Sequence, residues 1–396
     1  MATIEKRGEN SYRFTVYLPR DANGKYPKKY KTIKVEGKYT PKQLKEYLEG
    51  EYLKFKNEVL SGNYVEIKKM KFTDFVQEWK KKYAEKELSG TTVRNHRFVL
   101  ERHILPVIGH MYISDINTMM LLDLLDNLKR HDRKDGKLST YRVIDVYRTL
   151  RSIFKWAKEW KVITDDPTEG IKKPKLKDDE KHNPQVYDEY EVYDILQLLQ
   201  NEPIHWRAFM TLAITAGTRR GENLGLEWSD IDFENNTISI NKSIVIEDSG
   251  PVVKSPKTKK SKRIISLPPS VMEELKEYRK YWIETKLKRG EKWIEHERQW
   301  LFHKFDGTFM YPTSPSSWWR KFTANNGIRH IRLHDLRHTS ASLLIAQGIH
   351  EKIISERLGH STIKTTMDIY GHVIRAADQA AANTFENLFQ PKSQTK

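Results

Sequence analysis

Between Lys172 and Pro184 the chain reads KKPKLKDDEKHNP, with Leu176 as its one aliphatic side chain among charges and prolines. A stretch of this kind cannot bury enough apolar surface to offset the entropy of ordering it. Residues 172–185 are therefore expected to be an interdomain linker, and no single core can run across them. The length of 396 residues agrees, since domains of roughly 150 residues give two to three. The absence of cysteine excludes disulfides, thiol nucleophiles and thiolate zinc sites. The opening residues, MATIEKRGEN, contain no apolar signal-peptide core, and no run approaches the roughly 18 apolar residues that span a bilayer. The expectation is an unexported protein of the cytoplasm with no membrane segment.

The net charge of +17 points to a polyanionic partner, nucleic acid first. Most of the excess, +13, lies in residues 1–185. Because phosphate neutralisation supplies sequence-independent affinity for DNA, the grip is expected mainly in the front segments and the chemistry behind them. A generally lysine-rich proteome would produce the same excess.

Hydrophobic periodicity divides the chain further. Tyr12, Phe14, Val16 and Leu18 alternate as in a strand, Asn23-Gly24 marks a turn, and KKYKTIKV continues as a second β-rich run. Thr40, Pro41 and Gln43 supply an N-cap, a proline at the first helical position and a capping-box partner. A helix then runs to Gly62 with Leu44, Tyr47, Leu48, Leu53, Phe55 and Val59 at helical spacing. Residues 1–65 are thus expected to be a small sheet covered by one helix. Residues 66–171 read as about four packed helices, carrying Phe75, Trp79 and Tyr83, then Leu121, Leu124, Leu125 and Leu128, then Leu150, Phe154 and Trp156. Residues 186–396 read as a mixed domain: helices from Asp188 and from Ile204 to Gly217, β-rich runs between Thr237 and Leu267, helices from His334, and a tail from about Ala376. The fold class is multidomain, mainly α with small β-sheets.

Several positions in the third segment can carry chemistry. Arg219 follows the glycine that closes an apolar helix, where a guanidinium can hold an anion or simply be solvated beside Arg220. Glu222 can orient Arg219 or serve as a first-turn acid. The run KSPKTKKSKR, residues 254–263, reads as a basic hairpin tip; it is either a solvated face or, through Lys257, a proton donor on a turn. His334 and Arg337 share one helical face. His338 permits a zinc reading, but the Glu of the HExxH pattern is lacking. His360 follows the glycine of ERLGH, and Tyr370 lies ten residues on. A phenol attacks poorly unless cations stabilise the transition state around its target.

Taken in order, AGTRRGE, PKTKKSKR, HDLRHT and LGHSTIKTTMDIYGHV resemble the motifs of the tyrosine recombinase (phage integrase) family, over residues 215–373. Thr218 departs from the apolar residue more usual there. The resemblance implies that Tyr370 attacks the scissile phosphorus, leaving a 3′-phosphotyrosine and a 5′-hydroxyl. It implies that Arg219 and Arg337 hold the non-bridging oxygens, that Lys257 protonates the leaving oxygen, that His334 assists proton removal and that His360 hydrogen-bonds the phosphate. Glu222 supports Arg219. No metal or other cofactor is implied, because two guanidinium groups supply the charge and the phosphotyrosine retains the bond energy.

The helical segment resembles the family's core-binding domain, and residues 1–65 resemble the small arm-binding module of integrases that bridge two kinds of DNA site. The implied partners are double-stranded DNA with core-type and arm-type sites and three further copies in a tetramer, with an excisionase and a DNA-bending protein as accessory factors. The implied location is the bacterial cytoplasm, at the nucleoid when in use. The implied reaction integrates and excises a mobile element through a Holliday junction, with the tail docking on a neighbouring copy. A chromosome dimer-resolving recombinase, a type IB topoisomerase-like enzyme and a non-enzymatic DNA-binding regulator are the alternatives.

The arginine and zinc readings separate by chelation. EDTA should leave covalent protein–DNA adduct yield unchanged if guanidinium groups hold the phosphate. Stoichiometric zinc by elemental analysis, with adduct lost on chelation, would refute that.

Overall fold

The computed structural model describes residues 3–21, 24–61, 69–128, 136, 138–177, 180, 184–255, 262–294 and 297–359. The chain divides into two compact units, Met1–Leu88 with Asn95–Leu176 and Ser89–Arg94 with Lys177–Lys396. The later division falls inside the charged stretch that opens at Lys172. The protein is mainly helical with small antiparallel sheets, and among the described residues no helix is long and apolar enough to cross a membrane.

The first unit opens with strands β1 (Thr3–Gly8), β2 (Ser11–Tyr17) and β3 (Lys28–Lys34), with β2 central. Helix α1 (Pro41–Leu60) covers the sheet and starts where its capping box predicts. Thr40 Oγ1 accepts from the Gln43 backbone at 3.4 Å, and Gln43 Oε1 accepts from the Thr40 backbone at 3.1 Å. Phe14 and Val16 bury against Leu48, Tyr52, Phe55 and Val59, which recur at four, three and four residues along one stripe. Tyr47 and Leu53 lie off that stripe and are exposed, a correction to the expected apolar face; Tyr52 takes the inward position. Gly62 lies outside the described residues.

The helical segment comprises α2 (Phe72–Trp79), α3 (Glu85–Glu87), α4 (Gly90–Val99), α5 (Leu105–Ile108), α6 (Thr118–Asp126) and α7 (Thr140–Glu159). Two π-helical turns, Lys80–Ala84 and Leu100–Ile104, interrupt it where no sequence signal announces them. Phe72 stacks on Phe154 with ring centroids 5.5 Å apart, and Trp79 meets His96 edge-on at 5.5 Å.

The second unit contains α8 (Glu189–Leu199), α9 (Ile204–Thr215), α10 (Arg220–Leu224), β4 (Ile231–Asp232), β5 (Thr237–Ile240), β6 (Ser243–Glu247), β7 (Gly250–Lys254), β8 (Arg263–Ser266), α11 (Pro269–Arg289), α12 (Ser314–Asn325), α13 (Asp335–Ala346) and α14 (Glu351–Leu358). Helix α9 buries every residue from Ala208 to Ile214 and is the centre of the core. Helices α11 and α12 go beyond what periodicity suggested. Strands β4, β5 and β8 form one sheet, and β6 and β7 form a separate hairpin. The basic run is therefore not the tip of a hairpin between adjacent strands: Lys254 ends β7, Arg263 begins β8, and the two belong to different sheets. The turn at Asp248–Gly250 returns the chain first, so β7 pairs with β6.

Phe55 is fully buried between α1 and the sheet, so Phe55→Ala should cost about 3–5 kcal/mol. The amides of β2 should lose hydrogen-exchange protection, whereas Tyr47→Ala should leave it intact. Equal protection in both variants would mean that this face does not hold the module together.

Candidate active site

Helix α9 ends at Thr215, and Gly217 turns the chain with φ +59°. A Cβ there would press on the Leu358 side chain and lie 3.1 Å from Ser340 Oγ, so glycine suits the turn both for its left-handed conformation and for its close approach to α13 and α14. The next residue, Thr218, is buried, and its hydroxyl donates to Asn223 Oδ1 at 2.5 Å. Asn223 in turn donates to the Phe209 carbonyl at 3.1 Å. The departure at Thr218 thus has a local use: its hydroxyl anchors the junction between α9 and α10.

Arg219 occupies the N-cap position of α10 with extended backbone. Its Nη1 donates to Glu222 Oε1 at 2.7 Å, its backbone N–H donates to Glu222 Oε2 at 2.9 Å, and its Nη2 donates to the Gly359 carbonyl at 3.0 Å. Glu222 is 4% exposed and is shared with a second guanidinium, Arg263, at 3.2 and 2.8 Å. Burial pushes the Glu222 carboxyl up, but the Arg263 contacts and then those of Arg219 outweigh it and hold the pKa at about 2. The carboxylate is ionised at neutral pH and supports both arginines.

Arg337 lies in the first turn of α13, 2% exposed. Its Nη1 donates to the Gly217 carbonyl at 2.7 Å. Its Nη2 is buried with no hydrogen-bond partner among the described residues. Burial, then the neighbouring Arg219 charge, lowers its pKa to about 9, which leaves it protonated at neutral pH. Such a group is short of an anion.

His334 stands at the N-cap of the same helix. Burial, then the His338, Arg337 and Arg219 side chains, lower its pKa to about 4, so its ring is neutral and can accept a proton. His338 meets it edge-on with ring centroids 5.3 Å apart. Among the described residues no group of three or more His, Cys, Asp or Glu could hold a metal ion. Beside these residues a groove is lined by Arg219, Arg220, Arg320 and Arg332 together with His330 and His334, and its arginines make a cationic surface suited to a phosphate backbone.

Of the residues that the motifs single out, the structure thus brings together Arg219, Glu222, His334 and Arg337. Lys257, His360 and Tyr370 lie outside the described residues, as does the tail from Ala376. Arg263 and Arg357 escaped the sequence reading. Arg263 passed as the last member of a basic run, and Arg357, whose Nη2 donates to the Thr215 carbonyl at 2.9 Å, sits in an ordinary amphipathic helix. Nothing in the sequence marks Arg263; its role is visible only once Glu222 is seen to be buried and to accept from it.

Residues 185–376 match the phage integrase family, and residues 72–174 match the phage integrase central domain. A tyrosine recombinase XerC-like protein of Caldanaerobacter subterraneus subsp. tengcongensis is 27% identical over 401 residues, covering 97% of this chain and 98% of that one. The ICEBs1 integrase of Bacillus subtilis is 28% identical, covering 74% of this chain and 77% of its own. Among solved structures, the Tn1549 transposon integrase in complex with transposon right end DNA has the same fold, with a TM-score of 0.64 at 18% identity over 79% of this chain and 100% of that one. A lambda integrase dimer bound to a core site matches with a TM-score of 0.57 at 18% identity over 92% of this chain and 93% of its own. With its catalytic-domain motifs, its central domain and its fold all in agreement, the chain belongs to the tyrosine recombinase (phage integrase) family, the enzymes of site-specific DNA recombination.

Proposed function

We propose that this recombinase integrates and excises a mobile element, using Tyr370 as nucleophile and Arg219 with Arg337 as the phosphate clamp. The observation that carries the assignment is Arg337: a buried guanidinium with an unfilled Nη2 beside a second guanidinium that is already braced by Glu222. Tyr370 Oη attacks the scissile phosphorus while the bond from phosphorus to the 5′-oxygen breaks. The products are a 3′-phosphotyrosine and a free 5′-hydroxyl. Neutral His334 takes the phenolic proton, Lys257 gives one to the departing 5′-oxygen, and His360 donates to the phosphate as its charge develops. The two guanidinium groups bind the non-bridging oxygens, the planar, multidentate task to which they are suited. Attack by the 5′-hydroxyl of a partner strand then expels tyrosine and rejoins DNA, and one round of exchange makes a Holliday junction.

Residues 66–171 serve as the core-binding half of a clamp around the duplex, and residues 1–65 as an arm-site reader. The ICEBs1 and Tn1549 integrases, named for an integrative element and a transposon, support the mobile-element role. A lambda integrase tetramer bound to a Holliday junction, similar with a TM-score of 0.54, supports a working unit of four copies. An excisionase and a DNA-bending protein complete the proposed assembly.

Tyr370→Phe should bind duplex DNA normally and form no covalent adduct on a suicide substrate, because the ring remains while the attacking oxygen is lost. Adduct at wild-type yield would remove Tyr370 from this role.

Lys257→Ala should slow cleavage by about 10²–10⁴-fold, the range of general acid catalysis. A substrate with sulfur at the 5′-bridging position needs little protonation to leave and should restore the rate. If the oxygen and sulfur substrates are equally slow, the lysine is not the acid.

A further inference from the structure

Arg263, the first residue of β8, has no part in the chemistry proposed above, yet three elements meet on its guanidinium. Its side chain is 6% exposed. Nη2 and Nη1 donate to the Glu222 oxygens at 2.8 and 3.2 Å, and Nε donates to the Arg357 carbonyl near the end of α14 at 2.7 Å. A Cβ on Gly359 would lie 3.0 Å from Nη1 and 3.2 Å from Cδ, so the Arg263 side chain lies against the left-handed turn that closes α14. From the other side, Arg219 grips the same carboxylate and the Gly359 carbonyl.

We infer that Arg263 is a positioning residue for strand cleavage: through Glu222 it holds the Arg219 guanidinium in register with the end of α14, from which the chain runs directly to His360 and Tyr370. This rests on the reading that Arg219 receives the scissile phosphate. Arg219 spends Nη1 on Glu222 and Nη2 on Gly359, so its plane is set by two anchors, and Arg263 touches both. Removing Arg263 leaves the carboxylate free to follow Arg219 and frees the turn to move against it. A displacement of about 1 Å at a reacting centre costs about 10²-fold in rate.

Burial alone would drive the Glu222 pKa upward, and Arg263 is the first of the partners that oppose this. Among the described residues the charged groups around the carboxylate are Arg219 from α10, Arg263 from β8 and Arg337 from α13, with Arg357 of α14 beyond Arg263. Loss of Arg263 therefore raises the pH at which Glu222 takes a proton and lets go of Arg219. A merely structural arginine would not shift the acid limb of the cleavage rate.

The test uses full-length protein, a suicide duplex of the element's junction sequence, and the single-turnover rate of adduct formation against pH. Arg263→Met should slow adduct formation by about 10²-fold with unchanged duplex affinity, and its acid limb should move upward. Arg263→Lys, which keeps the charge but makes fewer contacts, should recover part of the rate. Combined with Glu222→Gln, Arg263→Met should add little, because both act on Arg219 by the same route. Should Arg263→Met fail to fold, a slowed but folded Arg263→Lys with a raised acid limb supports the inference in its place. A wild-type rate in the Met variant, losses that multiply in the double variant, or an unmoved acid limb would overturn the inference. Wild-type protein that forms no adduct at Tyr370 would instead overturn the clamp reading on which it rests.

Discussion

The catalytic unit is organised around one buried carboxylate. Taking a charge out of water costs several kcal/mol unless its oxygens are filled, and Glu222 fills both from two guanidinium groups and a backbone N–H. The balance of charge around it is uneven. Arg219, Arg263 and Arg337 all act on this one acid, and the pKa of Arg337 is lowered first by burial and then by repulsion from Arg219 and Arg263. A site in that condition holds favourable interaction in reserve for an arriving anion. A phosphate placed on Arg219 and Arg337, as proposed, would offset the repulsion and give Nη2 an acceptor. The sign of the pH dependence follows. Because the folded Glu222 pKa is depressed to about 2, its contribution to stability is complete above the ordinary carboxylate range and is lost as pH falls toward that value.

Helix ends provide the other half of the frame. The last carbonyls of an α-helix have no partner within it and carry the negative end of its dipole. Here arginines take them up. Arg357 donates to the Thr215 carbonyl at the end of α9, Arg263 to the Arg357 carbonyl, Arg219 to the Gly359 carbonyl just past α14, and Arg337 to the Gly217 carbonyl just past α9. Both helices end in left-handed glycines. At Gly217 a Cβ would press on the Leu358 side chain, so glycine suits the close approach of the two helix ends. The same contacts that cap α9 and α14 also aim the guanidinium groups.

Local signals in the sequence were reliable where the physics is local. The Thr40 capping box, the strand through Phe14 and Val16 and the turn at Gly217 all depend on neighbours within a few residues, and each is found as read. The errors came where distant partners decide. Tyr52, rather than Tyr47, packs inward because the sheet lies along only one stripe of α1. Strand β7 pairs with β6 because a turn intervenes, which a count of basic residues does not register. Helix α11 carries alternating charge on most of its surface, so its buried face of Val271, Met272, Leu275, Tyr278 and Trp282 is visible only once the core it meets is known. Arg263 lies 41 residues from Glu222 in sequence, and a basic run offers no reason to single it out.

On the proposed reading, the described part of the site receives the phosphate, and the proposed nucleophile and acid lie on the segments that leave two of its elements. The chain leaves α14 at Gly359, whose carbonyl is held by Arg219, and reaches Tyr370 eleven residues later. Eleven residues span at most roughly 40 Å extended and about 16 Å as helix. The proposed clamp and the proposed nucleophile are thus separated by a short stretch of chain whose first carbonyl accepts from Arg219. Lys257 is bounded in the same manner, three residues after Lys254 on β7 and six before Arg263 on β8. Arg263 therefore terminates the segment that carries the proposed acid while bracing the carboxylate that sets the clamp. If both proposed roles hold, one strand end bears on the proton donor and on the phosphate receptor together.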